Sequence, residues 1–327
     1  MGVALKIVYN VALLFIMMIP GILLKKCKLC SDGIGKGISN LVLYIAQPAL
    51  VFLAYLLPYD KNILINAIYV LVLSVLAHGI FTVVALNLYK KAEDSARRML
   101  RFATIFSNAA FMGIPLISAV LEDTYPGATL YASIYNITFN LFLWSLGVYI
   151  CTDKRDVNKN GIEDDEEHIK HGASPLKALY HPVTIAAAIG IVFFVTNLYD
   201  GVPKIITESF GMLKGLVAPL SMVVIGLRLT DINFKKVMKD RFLYLFLLMR
   251  HIVLPLLVLG VVKLAGLVVD IPTVVENVVV IMAAAPAATS ATMFAEKYDC
   301  DANYVSGLVT VSTLLSIATM PLILLLI

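Results

Sequence analysis

Charge is scarce in this chain of 327 residues: Asp, Glu, Lys and Arg together make up 15%. A soluble domain carries about 25%, so an ordinary solvated surface is excluded. Cysteine is scarce too. The four present (Cys27, Cys30, Cys151 and Cys300) do not form a disulfide framework, and Cys27-Lys28-Leu29-Cys30 is a lone CxxC without partner residues for zinc or redox work. Catalytic signatures are missing as well. Gly33-Ile34-Gly35-Lys36 lacks the spacing and the Ser or Thr of a phosphate loop, and there is no HExxH, no GxSxG and no pair of intramembrane aspartates. ATP-driven pumping and intramembrane proteolysis lose their chemical basis. Neither an enzyme, a cofactor, a metal site nor a nucleic-acid partner is expected.

What is abundant is apolar sequence. Hydrophobic residues make up 60% of the chain, against about 45–50% in soluble domains. The chain reads as an all-α polytopic membrane protein. A span needs about 20 apolar residues. Ten such runs fall at 7–24, 37–57, 63–88, 99–121, 128–151, 178–198, 205–229, 242–269, 274–295 and 304–327. The run from Ile7 to Leu24 is followed by Lys25, Lys26 and Lys28 rather than by a small-residue cleavage site, so it reads as a retained span. Lys and Arg crowd the first, third, fifth and seventh loops. The second and sixth carry one lysine each, Lys61 and Lys204, and the fourth and eighth carry none. The positive-inside rule makes the odd loops cytoplasmic. Both termini are then external to a cell (plasma) membrane.

Prolines recur at one spacing. Pro48 and Pro219 lie 171 residues apart (219 − 48), as do Pro115 and Pro286 (286 − 115). The predicted units are a first five-helix repeat, 1–151, a cytoplasmic polar linker, 152–177, and a second five-helix repeat, 178–327. An odd number of spans reverses the second repeat in the membrane, a pattern common in secondary transporters.

The fourth span is interrupted by Ser107-Asn108-Ala109-Ala110-Phe111-Met112-Gly113-Ile114-Pro115. Non-helical backbone at membrane depth is tolerated only under protein or beside a water-filled cavity. The ninth span carries Ala283-Ala284-Ala285-Pro286-Ala287-Ala288-Thr289-Ser290. Both stretches fall near the midplane at about 1.5 Å per residue. Two interrupted helices would offer N-terminal ends, each about half a positive charge, to a carboxylate. Asn108 could donate from its amide, and Ser107, Thr289 or Ser290 from hydroxyls. Ala285 and Pro286 supply the closeness and the freed carbonyl. Gly113, Pro115, Pro48 and Pro219 read as crossover or hinge positions, or as simple kinks and packing points.

Further polar residues have two readings each. Ser133, Asn136 and Asn140 share a face of the fifth span, as do Ser306, Thr310, Thr313 and Ser316 of the tenth. They line a polar path or glue helices together. Gln47, beside Pro48, is similarly open. His78, Arg250 and His251 are intramembrane ionisable residues, functional by default, with inter-helix hydrogen bonding as the plain alternative. No Asp or Glu lies mid-span, which disfavours a cation or proton exchanger and suits an anionic substrate. Residues 156–167 fit the D-x-[DN]-x-[DN]-G-x5-E calcium loop, but Glu163 replaces its usual aliphatic and flanking helices are not evident, so a solvated acidic loop is the simpler reading.

The stretch Asn108 to Pro115 resembles the N-x-x-x-x-G-I-P signature of the auxin efflux carrier family. Ala218-Pro219 through Gly226-Leu227-Arg228-Leu229, and Ala285-Pro286 followed by Met293 to Tyr298, Thr313 to Ser316 and Pro321, are similar to its later signatures. The likeness covers the chain apart from the linker. It implies ten transmembrane helices in two inverted five-helix repeats, with broken crossing helices 4 and 9. It implies a scaffold that pairs into a homodimer and a transport domain that moves elevator-fashion. By position, Asn108 matches the family's anion-contacting asparagine and Pro286 its crossover proline; Ser107 stands where plant carriers tend to have proline. The expected function is transport of a small organic anion. The alternatives are an Na+- or H+-coupled carrier of another solute and a membrane ligand sensor.

Overall fold

The computed structural model describes residues 9, 12–31, 33–152, 179–229, 237–298 and 300–327. The acidic stretch 156–167 lies outside the described residues, as does the linker beyond Thr152. Regular structure among the described residues is helical, because a helix satisfies its own backbone where no water is available. Six helices are long and apolar enough to cross a membrane: α2 (Ile34–Ala54), α3 (Lys61–Asn87), α6 (Ala128–Cys151), α8 (Lys204–Arg228), α9 (Arg241–Ala265) and α12 (Ala302–Leu324). Shorter apolar helices are α5 (Ala109–Val120), α7 (Pro182–Val195) and α10 (Thr273–Ala284). The rest are α1 (Ile19–Lys26), α4 (Asp94–Ile105) and α11 (Ser290–Lys297). This is a multi-pass membrane protein.

Helix starts follow the sequence. Asp60, Asp240 and Asp301 sit just before α3, α9 and α12 and accept hydrogen bonds from Asn62 N, Phe242 N and Tyr304 N at 2.7, 2.9 and 2.9 Å. Each satisfies a backbone donor that the first turn leaves orphaned. α7 starts at Pro182, whose missing N–H costs nothing there.

The helices pack in two groups. α8 lies against α1 and α2, and α7 against α2. In the other group α3 packs on α4 and α6, while α10 packs on α3, α6, α9 and α12. The α1–α8 contact is close because glycine permits it. A Cβ on Gly21 would lie 2.2 Å from Val223 O, and one on Gly226 2.1 Å from Met18 O. Both obstacles are backbone and cannot step aside. Contacts of α8 with the start of α5, and of α2 with α6, join the two groups.

Candidate functional site

α4 stops at Ile105, where Phe106 turns extended at φ −93° and ψ 115°. α5 resumes at Ala109 with a wide first turn, in which Met112 N and Gly113 N both donate to Asn108 O at 3.0 Å. α10 stops at Ala284, Ala285 is extended at φ −57° and ψ 146°, and α11 begins at Ser290. The two interruptions meet. Ser107 lies opposite Ala287 in a single antiparallel bridge. Asn108 N donates to Pro286 O at 2.7 Å, and Ala288 N to Phe106 O at 2.9 Å. Ser107, Asn108, Ala287 and Ala288 are all buried. Backbone left unpaired at this depth would cost several kcal/mol per group. Each interruption therefore supplies what the other lacks.

Arg250 holds the side where α4 and α10 end. It sits in a widened turn of α9, Met249–Val253, and is fully buried. Its Nη2 donates to Ala283 O at 2.8 Å and Ala285 O at 2.6 Å, and its Nε to Ala285 O at 3.1 Å. Its Nη1 donates to Thr104 O at 3.2 Å, and the guanidinium lies 5.3 Å from the Phe81 ring centroid. The last carbonyls of a helix carry about half a negative charge, so one cation caps two helix ends. Next to it, His251 Nε2 lies 2.8 Å from Ser312 Oγ and Nδ1 lies 3.0 Å from Thr319 Oγ1. Ser312 Oγ accepts from Ala287 N at 3.0 Å. This short chain buttresses the second interruption from α12.

The polar side chains near the starts of α5 and α11 are different: they are buried and lack partners. Among the described residues, Asn108 Nδ2, Ser107 Oγ, Ser290 Oγ, Thr292 Oγ1 and Gln47 Oε1 find no hydrogen-bond partner. Gln47 reaches this region by donating from Nε2 to Ala110 O at 2.6 Å. A cavity of about 410 Å³ opens beside Ser290 and Thr292; Asn108, Ser107 and Gln47 lie behind its lining. Phe111, Thr289, Ser290 and Thr292 border it, with Lys25, Lys36, Arg228 and Glu296 around the rim. Arg228 Nη1 donates to Thr289 O at 2.9 Å, tying α8 to the start of α11.

The other candidate residues fall elsewhere. The Ala285 carbonyl is occupied by Arg250. Asn140 bonds its own helix, Nδ2 to Asn136 O at 2.9 Å, while Asn136 Oδ1 has no partner among the described residues. Thr313 and Ser316 bond carbonyls of α12. Pro48 lines an apolar cleft of about 690 Å³ with Phe52, Phe193 and Phe210, and Pro219 lies within α8. Pro115 is in the helical part of α5, whereas Pro286 is in the extended interruption. The shared spacing of this pair does not reflect equivalent positions: the ends of α4 and α10, Ile105 and Ala284, lie 179 residues apart (284 − 105). Gly113 permits close approach, since a Cβ there would lie 2.6 Å from Met282 Sδ. His78 makes no hydrogen bond to this network among the described residues but lies one ring away from Arg250, since both flank Phe81. Its Nδ1 donates to Ser74 O at 2.8 Å, and its ring packs against Tyr135 and Phe142. Sequence reasoning passed over Ser312, and it read Arg250 as an ionisable residue without seeing its targets.

Two helices interrupted at one buried point, among apolar helices and beside a cavity, are the arrangement from which membrane transporters build substrate sites. Within that class, the chain belongs to the family described as "Membrane transport protein", whose pattern matches residues 6–324; the auxin efflux carriers are this same family. It is 23% identical over 312 residues to an uncharacterized transporter of Methanothermobacter thermautotrophicus, covering 94% of each chain. It is also 25% identical over 298 residues to the lysosomal cholesterol signaling protein of Mus musculus. That match spans 86% of this chain but 33% of the mouse protein.

Proposed function

We propose that this transporter carries a small organic anion bearing a carboxylate. The unpartnered, buried donor of Asn108 beside the starts of α5 and α11 carries this reading. A carboxylate accepts from amide, hydroxyl and helix N-terminal N–H groups together. Lys25, Lys36 and Arg228 outnumber Glu296 around the cavity, which draws an anion toward Thr289 and Ser290. Phe111, which borders the cavity, is one turn from Asn108. Binding by neutral donors and partial charges holds an anion weakly enough to release it.

In this reading the protein has ten transmembrane helices in two inverted repeats and pairs into a homodimer. α1, α2, α7 and α8 form the scaffold, and the remaining helices move as a block in elevator fashion. The cavity lies on the side of Lys25 and Lys36, which the charge distribution makes cytoplasmic, so the conformation is inward-open.

The test is electrogenic current on solid-supported membranes carrying the purified protein. Malonate, malate, succinate, lactate and indole-acetate are applied to wild type and to Asn108→Ala. A hydrogen bond to a charged group is worth about 1.5–3 kcal/mol, so Asn108→Ala weakens apparent affinity by roughly 10- to 100-fold while leaving a folded protein. A mutant that transports like wild type would refute the assignment of Asn108.

A further inference from the structure

Arg250 is a fully buried cation, and among the described residues no carboxylate pairs with it. All four of its hydrogen bonds end on backbone carbonyls: Thr104 at the end of α4, Ala283 at the end of α10, and Ala285 twice. Burying an unpaired guanidinium is expensive. Its hydrogen bonds are spent on the ends of interrupted helices rather than on packing partners. Coupling cations in carriers with discontinuous helices are held by this kind of donor set, unwound carbonyls and helix C-terminal ends. The carbonyls converging here form an electronegative cage, and the cage is already filled from within the chain.

We propose that Arg250 is a tethered cation, filling the carbonyl cage where a coupling monovalent cation would otherwise sit, so that transport needs no Na+. The guanidinium suits the role because its planar fork addresses several carbonyls in fixed directions. Its charge moves with the crossing rather than entering from solution. It is a positioning residue: it touches the helix ends and not the anion, which the opposite ends of α5 and α11 face. The same carbonyls cannot then serve an incoming ion, which removes the principal site for Na+ coupling at the crossing. The proposal rests on the crossing being the transport site.

The test uses thermal unfolding of the purified protein in lipid nanodiscs, with flux measured in parallel. Wild type, Arg250→Ala and Arg250→Lys are compared in NaCl, KCl and choline chloride at equal ionic strength, with and without low-millimolar guanidinium. The expected wild type melts alike in all three salts, and its flux stays within about twofold when choline replaces Na+. Arg250→Ala is expected to melt roughly 5 °C or more lower and to regain stability saturably with guanidinium but not with choline. Na+ is the discriminating readout: a cage that is a cation site also lets Na+ stabilise Arg250→Ala saturably over choline, whereas a merely structural arginine leaves a hole that guanidinium alone refills. Saturable stabilisation of wild type by Na+ over choline overturns the proposal, as does an Arg250→Ala protein that folds and ignores guanidinium. If Arg250→Ala does not fold, Arg250→Lys decides: indifference to Na+ supports a tethered charge, and a new Na+ response overturns it. Absence of anion flux in every salt would sink the anion-carrier reading while leaving the melting comparison intact.

Discussion

The two interruptions do the same backbone work with different residues. At the first, Phe106-Ser107-Asn108 opens a helix without proline and supplies two polar side chains. At the second, Ala285-Pro286-Ala287-Ala288 has a proline and three residues too small to reach anything. Proline is therefore not what breaks a helix here. Each stretch is extended because the other offers it hydrogen-bond partners. The difference lies in what is left over. The first stretch is chemically equipped, with Asn108 Nδ2 and Ser107 Oγ unpartnered. The second supplies shape, and its polar groups start only at Thr289.

Replacing Ala287 breaks the comparison hardest. The residue is fully buried opposite Ser107. Ala287→Phe forces a ring into the bridge and should cost about 3 kcal/mol or more, read as a lower unfolding temperature and lost transport. Ser312→Ala is milder. It removes the acceptor of Ala287 N and a partner of His251, which should cost roughly 1–3 kcal/mol with the bridge retained. A variant as stable as wild type would show that α12 does not buttress the interruption. The smallest effect is expected from Ser107→Pro. Phe106 is already extended, as the residue before a proline prefers. Stability should change by less than about 1 kcal/mol, with the first interruption made to look like the second.

Much of the fold was legible. The six long helices match expected spans to within about a turn, because uninterrupted apolar length is written directly in composition. The interruption in the fourth span was legible as well, since Ser107 and Asn108 burden a lipid-embedded helix wherever they occur. Pro115 misled the register. Its match to Pro286 in spacing hid that α5 is already helical when it reaches that residue. The targets of Arg250 were invisible for a different reason. They are carbonyls of Thr104, Ala283 and Ala285, and every residue has a carbonyl. Only the fold decides which of them lose their helical partners and converge. The solitary arginine in an apolar span, with no acid nearby in sequence, was the available clue.

The bridge between Ser107 and Ala287 also sets an order on biogenesis. When the ribosome has made Asn108, its partner Pro286 is still 178 residues away (286 − 108). At about 5–20 residues per second, roughly ten to forty seconds pass before the partner that the first interruption takes in the folded protein exists. A chain truncated before residue 286 would never form the bridge that holds this segment extended.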